Sequence, residues 1–144
     1  MDDPDLLRLL LAAHRRLAGE LGDGLAERGY PEARPGHAVV FRYIDRRTGA
    51  RLTDLAERTG MTKQAMMQVV DDLEARGLVR RVRDPQDGRA KMVRLTAKGR
   101  RFAPEARRAR QAVEGRARRG LGDRRYEQLR ASLAELIGEE EEQE

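Results

Sequence analysis

Between Leu52 and Leu95 the residue order leaves little choice of fold. Thr53 and Asp54 suit the start of a helix, the hydroxyl by capping free backbone N–H groups and the carboxylate by meeting the positive end of the dipole. Leu55 and Ala56 form its inward side, and Gly60 supplies a turn in which a Cβ would clash. Met61 is placed to fill the angle before the next helix, which Thr62 caps. From Thr62 to Arg76 two faces separate. Met66, Val70 and Leu73 recur at i, i+4 and i+7 with Val69 alongside, while Lys63, Gln64, Met67, Gln68 and Asp71 fall opposite. Gly77 ends the pattern. Two short β-prone runs, Leu78–Val82 and Met92–Leu95, then flank a polar loop containing Asp87-Gly88, a hairpin signal in a loop long enough to project. Helix, tight turn, helix, strand, charged loop, strand is the order of a winged helix-turn-helix. The expected fold is mainly α with a small β-hairpin wing.

The flanks are helical. Leu6, Leu10, Ala13, Leu17, Leu21 and Leu25 follow three- and four-residue steps, and Leu7, Leu9 and Leu11 widen the stripe beyond what one neighbour needs. A loop rich in glycine and proline (28–36) precedes a second helix that begins near His37, carries Ala38, Val39, Val40, Tyr43 and Ile44, and is expected to stop near Thr48-Gly49. Thr96 caps a long helix with Phe102, Ala106, Ala109, Val113 and Ala117 on one side and an expected bend at Pro104. After the break at Gly120–Asp123, Tyr126, Leu129, Leu133, Leu136 and Ile137 are spaced as a packing seam. The organisation expected is a dimerisation helix and loop (1–36), a winged helix-turn-helix domain (37–99), C-terminal dimerisation helices (100–138) and an acidic, disordered tail (139–144).

Composition agrees with self-association. Of 144 residues only 39% are hydrophobic and five are aromatic, so one copy alone buries a thin core. Leu6, Leu10, Leu17, Tyr126, Leu129, Leu133, Leu136 and Ile137 are the expected dimerisation residues. Charge points to the other partner: residues 76–101 hold ten Lys/Arg against two Asp, whereas the last ten residues carry six Glu. A basic block beside a helix-turn-helix pattern indicates double-stranded DNA. There is no cysteine, which excludes disulfides and thiolate chemistry. With two histidines as well, a transition-metal site is not expected. No phosphate-cradling glycine loop and no nucleophile beside a base is present, so neither an enzyme nor a cofactor is expected. The Leu6–Ala13 run is too short to span a bilayer, and Asp2, Asp3 and Asp5 precede it where a secretory signal is basic, so a cytoplasmic location is expected.

From Leu52 to Gly99 the sequence resembles the MarR family of bacterial transcription regulators. The resemblance is carried by Leu55-Ala56, Met61-Thr62-Lys63-Gln64, Val70–Glu74, Gly77-Leu78-Val79, Asp84-Pro85, Asp87–Lys91 and Leu95-Thr96-Ala97-Lys98-Gly99. It implies a triangular homodimer whose terminal helices pair at the apex, two lobes over adjacent major grooves, and a mostly repressive role relieved by small aromatic or anionic ligands. It also implies that Arg89 enters a minor groove with Asp87 as its brace, and that an effector cavity lies near His37 and Phe41.

The chemistry of the residues is consistent with these roles. The major groove admits one helix and displays a distinguishable pattern of donors and acceptors. Gln64 and Gln68 suit adenine edges, Lys63 a guanine or a phosphate, and Thr62 a phosphate. Met67 departs from the small polar residues common at that position in the family; packing on a thymine methyl and burial stand equal. A guanidinium at the tip of the loop, Arg89, suits a narrow minor groove, and Arg80, Arg81, Arg83 and Lys91 suit phosphates. His14, His37 and Phe41 are the effector candidates, although a lone histidine is more often a structural or solvent-exposed side chain. The alternative reading is a winged-helix module that binds protein, or an architectural module that binds DNA without sequence preference.

Overall fold

The computed structural model describes residues 3–89 and 91–138; the expected acidic tail and Ala90 lie outside them. The order is α1 (Leu6–Glu27), α2 (Pro35–Phe41), β1 (Ala50–Arg51), α3 (Leu52–Thr59), α4 (Lys63–Ala75), β2 (Val79–Arg83), β3 (Lys91–Leu95), α5 (Ala97–Leu121) and α6 (Asp123–Ile137). It is the mainly helical winged architecture that the sequence predicts. Two compact units divide between Arg110 and Gln111, within α5.

In the first unit the core is aliphatic around one aromatic. Leu25, Val40, Leu55, Met66, Val70, Leu73, Val79 and Val93 are fully buried, as is Phe102. Tyr30 and Phe41 each meet the Phe102 ring edge-on at 4.8 Å. The inward stripe of α4 is the expected Met66, Val70 and Leu73. Thr62 caps α4 by accepting the Ala65 amide at 3.1 Å, and Gly60 closes α3 in the left-handed region at φ 69°, as its lack of a Cβ predicts. In α1 only Leu21 and Leu25 are buried; Leu6, Leu7, Leu9, Leu11 and Leu17 are exposed.

Three local expectations are corrected. The second helix ends at Phe41 instead of continuing to Thr48. The Asp45 carboxylate takes the amides of Arg47 and Thr48, both at 2.8 Å, offering the backbone an alternative to the helix ladder. The third helix begins at Leu52 with Arg51 as its N-cap and no side-chain cap, so Thr53 does not serve. The cause is β1, which the sequence pattern does not reveal: Ala50 pairs with Val93 and Arg51 with Met92, making the wing an antiparallel sheet of order β1-β3-β2. Pro104, the position of the expected bend, removes one internal donor, but α5 continues through it.

The turn after β3 shows why Leu95-Thr96-x-x-Gly99 is spaced as it is. Thr96 donates its amide to the Leu78 carbonyl at 3.1 Å, its hydroxyl to the Gly77 carbonyl, and accepts the Gly99 amide at 3.0 Å. A Cβ on Gly99 would sit 1.9 Å from the Leu78 carbonyl oxygen, so the start of α5 has no room for any larger residue.

The second unit is the end of α5 and α6. Val113 and Tyr126 are buried. Arg118 lies over the Tyr126 ring at 4.5 Å and bonds the carboxylates of Asp123 and Glu127. Leu129, Leu133, Leu136 and Ile137 are exposed along α6.

His37 joins α2 to α4. It is buried; Nδ1 accepts the Arg34 amide at 3.1 Å and Nε2 donates to the Asp72 carboxylate at 2.6 Å. Burial lowers the imidazole pKa below 6.5, and Asp72 only partly opposes this. The unfolded chain therefore takes up the proton first, so stability is full above about pH 6.5 and falls as the pH drops from there toward the folded value. Asp72 acts in a separate window. Burial raises its pKa, but the hydrogen bonds from His37 and Arg76 bring it below 3.8 overall. Urea denaturation at pH 7.5 and 5.5 is expected to give a lower midpoint at 5.5, and His37→Gln is expected to reduce that difference. An undiminished difference in the variant would assign the acid loss to other groups.

Candidate nucleic-acid interface

The N-terminal half of α4 presents its polar side to solvent. Thr62, Lys63, Gln64, Met67 and Gln68 are all exposed. Thr62 spends an oxygen lone pair on the cap, which leaves its O–H free to donate. Met67 is 48% exposed, which removes burial from its two readings. The face has this composition because Met66, Val70 and Leu73 take the core side, and residues one position along a helix point about 100° away.

Arg81 is not the free phosphate contact that the sequence suggests. It occupies the β2 position whose side chain turns toward α4, and it is spent there. Its amide and one guanidinium nitrogen reach the Glu74 carboxylate at 3.0 and 3.1 Å. The other nitrogen bonds Asp71 and approaches the Met67 carbonyl at 3.5 Å. The guanidinium thus neutralises two acids on the C-terminal half of α4 and clamps that helix to the sheet. Arg80 and Arg83 remain exposed.

β2 and β3 pair from Val79↔Leu95 to Arg83↔Lys91, and the loop beyond them carries Asp87 and Arg89. Asp87 accepts the Arg89 amide at 3.1 Å, bracing the residue through its backbone. The Arg89 side chain is exposed, as is Lys91, and no carboxylate among the described residues pairs with the Arg89 guanidinium. Asp84, expected on an exposed part of this loop, is buried. It accepts the Gln86 amide at 2.9 Å and meets the Arg51 guanidinium at 2.7 Å. The Gln86 amide first, and Arg51 as well, hold its carboxyl below the usual range. Sequence reasoning missed this pair because its members stand 33 positions apart and are joined only by the unforeseen β1.

Of the effector candidates, His37 and Phe41 are buried, with both His37 ring nitrogens engaged, and His14 is exposed on α1. Among the described residues no group of His, Asp and Glu is placed to hold a metal ion, and no helix is long and apolar enough to cross a membrane.

A MarR family model matches residues 34–90, from the cap of α2 through the wing loop. Over 69 residues the chain is 36% identical to the transcriptional regulator HosA of Escherichia coli O111:H-, a segment that is 48% of this chain and 51% of that protein. The match thus spans about half the length of that curated relative. Among solved structures, CouR from Rhodococcus jostii RHA1 bound to p-coumaroyl-CoA is 28% identical with a TM-score of 0.75, over 92% of this chain and 91% of that one. CouR bound to a 23-mer DNA duplex is 27% identical with a TM-score of 0.78, over 92% of each chain. With the recognition segment and the fold in agreement, the chain belongs to the MarR family.

Proposed function

We propose that this chain is a homodimeric, sequence-specific DNA-binding transcription repressor of the cytoplasm. The observation that carries the proposal is one exposed polar helix face, Thr62 to Gln68, in the same unit as a wing arginine with no carboxylate partner. Thr62 and Lys63 anchor α4 on phosphate, Gln64 and Gln68 read adenine edges, and Met67 packs on a thymine methyl. Arg89 enters the minor groove, where a narrow width concentrates negative potential. Arg80, Arg83 and Lys91 add phosphate contacts that position without specifying. Residues 37–99 form the DNA-binding part. The exposed leucines of α1 and the exposed seam of α6 supply self-complementary apolar faces for a second copy. Two lobes predict a pseudo-palindromic operator with half-sites about 10 bp apart. A small aromatic or anionic effector releases the DNA; in support, CouR is a relative seen both with an acyl-CoA and with a duplex.

Fluorescence anisotropy on the intergenic DNA beside its own gene, against random duplex at about 150 mM salt, tests the reading. Gln64→Ala is expected to cost about 1–3 kcal/mol on the cognate duplex and little on the random one. Arg89→Ala is expected to weaken both. Equal affinity of the unmodified protein for both duplexes would instead indicate an architectural or protein-binding module.

Arg81→Ala is expected to weaken cognate binding while leaving the salt slope unchanged, because Arg81 holds the helix. Arg80→Ala is expected to reduce that slope by about 1, the signature of a lost phosphate contact. A reduced slope for Arg81→Ala would return that residue to the phosphate.

For assembly, sedimentation equilibrium is expected to give a dimer that Leu133→Asp dissociates. A monomeric unmodified protein would remove the dimer from the proposal.

A further inference from the structure

The sheet has two faces, and the reading above uses only one. Successive strand residues point to opposite sides. Arg81 turns toward α4, so Arg80 and Val82 turn away from it. Register places Arg94 opposite Arg80, and Met92 opposite both Val82 and Arg51. Arg51, Val82, Met92 and Arg94 therefore share an outer face. Between this face and the turn at Arg47 lies an open cleft of 490 Å³, within the range of roughly 300–1,000 Å³ usual for small-molecule sites.

Its floor is Val82 and Met92, both half-buried, and its rim is Arg47, Arg51, Arg83 and Arg94. Two rim residues are fixed within the fold. Arg94 donates to the Arg47 carbonyl at 2.7 Å, and Arg51 is held on the buried Asp84 at 2.7 Å. The guanidiniums of Arg47 and Arg83 have no carboxylate partner among the described residues, and both side chains are exposed. Four arginines stand against one aspartate, and that aspartate is already engaged.

We propose that this cleft binds a small organic anion, a carboxylate on a flat apolar body. The carboxylate meets Arg47 and Arg83, where charge-assisted hydrogen bonds are strongest, and the body covers Val82 and Met92, taking their apolar surface out of water. A bare phosphate or a nucleic-acid backbone satisfies the rim and leaves the floor unused. The cleft also faces away from α4. The proposal needs no duplex and is independent of the DNA-binding reading.

The test follows the methionine methyl signals of the full chain by NMR, with Met92→Leu assigning the Met92 signal. Benzoate is expected to shift the Met92 methyl to saturation, while inorganic phosphate at equal concentration leaves it in place. Arg47→Ala combined with Arg83→Ala, both at exposed positions where substitution alters stability little, is expected to weaken benzoate about tenfold. Met92→Gln is expected to weaken benzoate as well, which a purely ionic site would not do. Three results would overturn the proposal: no saturable benzoate shift, an equal shift by phosphate, or benzoate binding that survives the double arginine variant. If that variant keeps benzoate but loses affinity for duplex, the rim is a DNA-backbone contact instead.

Discussion

Four elements of the first unit meet at one pair of carbonyls. The Leu78 oxygen accepts the Thr96 amide, the Gly77 oxygen accepts the Thr96 hydroxyl, and that hydroxyl oxygen accepts the Gly99 amide. Lys98 adds a bond to the Arg76 carbonyl at 2.9 Å. The end of α4, the start of β2, the end of β3 and the start of α5 are thereby tied through backbone groups, which side-chain repacking cannot move. Everything that gives the wing its direction depends on this junction. Because buried backbone groups cost free energy when unpaired, and because a Cβ on Gly99 would occupy the space of the Leu78 oxygen, β2 leaves α4 along one path.

Arg81 extends that constraint from the backbone to the recognition face. Its guanidinium lies between β2 and two acids of α4, so the orientation of the helix relative to the wing is set by charge as well as by Met66, Val70 and Leu73. Surface ion pairs are usually worth little. This one is partly sheltered and multiply bonded, with the Arg81 side chain 20% exposed, and such networks hold geometry better than isolated pairs. At the other end of α4, His37 and Arg76 share the Asp72 carboxylate. The helix is held at its C-terminal half and left bare at its N-terminal half.

Legibility from sequence followed the range of the interaction. Thr62 as a cap, Gly60 as a left-handed turn, and the buried stripe of α4 depend on neighbours within a few residues, and all three were visible in the pattern. The exposure of Met67 was half visible, because a stripe predicts its direction but a methionine suits either side. What escaped was non-local. β1 is two residues long and has no period to detect; its pairing with β3 spans about forty positions. The burial of Asp84 depends on Arg51, and the commitment of Arg81 depends on the side of the strand to which it points. A basic run shows that arginines are present but does not show which of them are spent on the fold. The early end of α2 reflects a competition that a hydrophobic pattern cannot register, a carboxylate capturing backbone amides at Asp45.

The bareness of the first turns of α4 has a consequence for how this chain changes over generations. Lys63, Gln64, Met67 and Gln68 are exposed, and substitutions at such positions usually alter stability by no more than about 0.5 kcal/mol. Three residues further on, Asp71 has the same polar character but is tied to Arg81, so losing it also loosens the sheet. The helix is therefore divided along its length into a segment that mutation is free to explore and a segment that stability holds in place. New preferences on the exposed face can arise without first passing through a poorly folded ancestor.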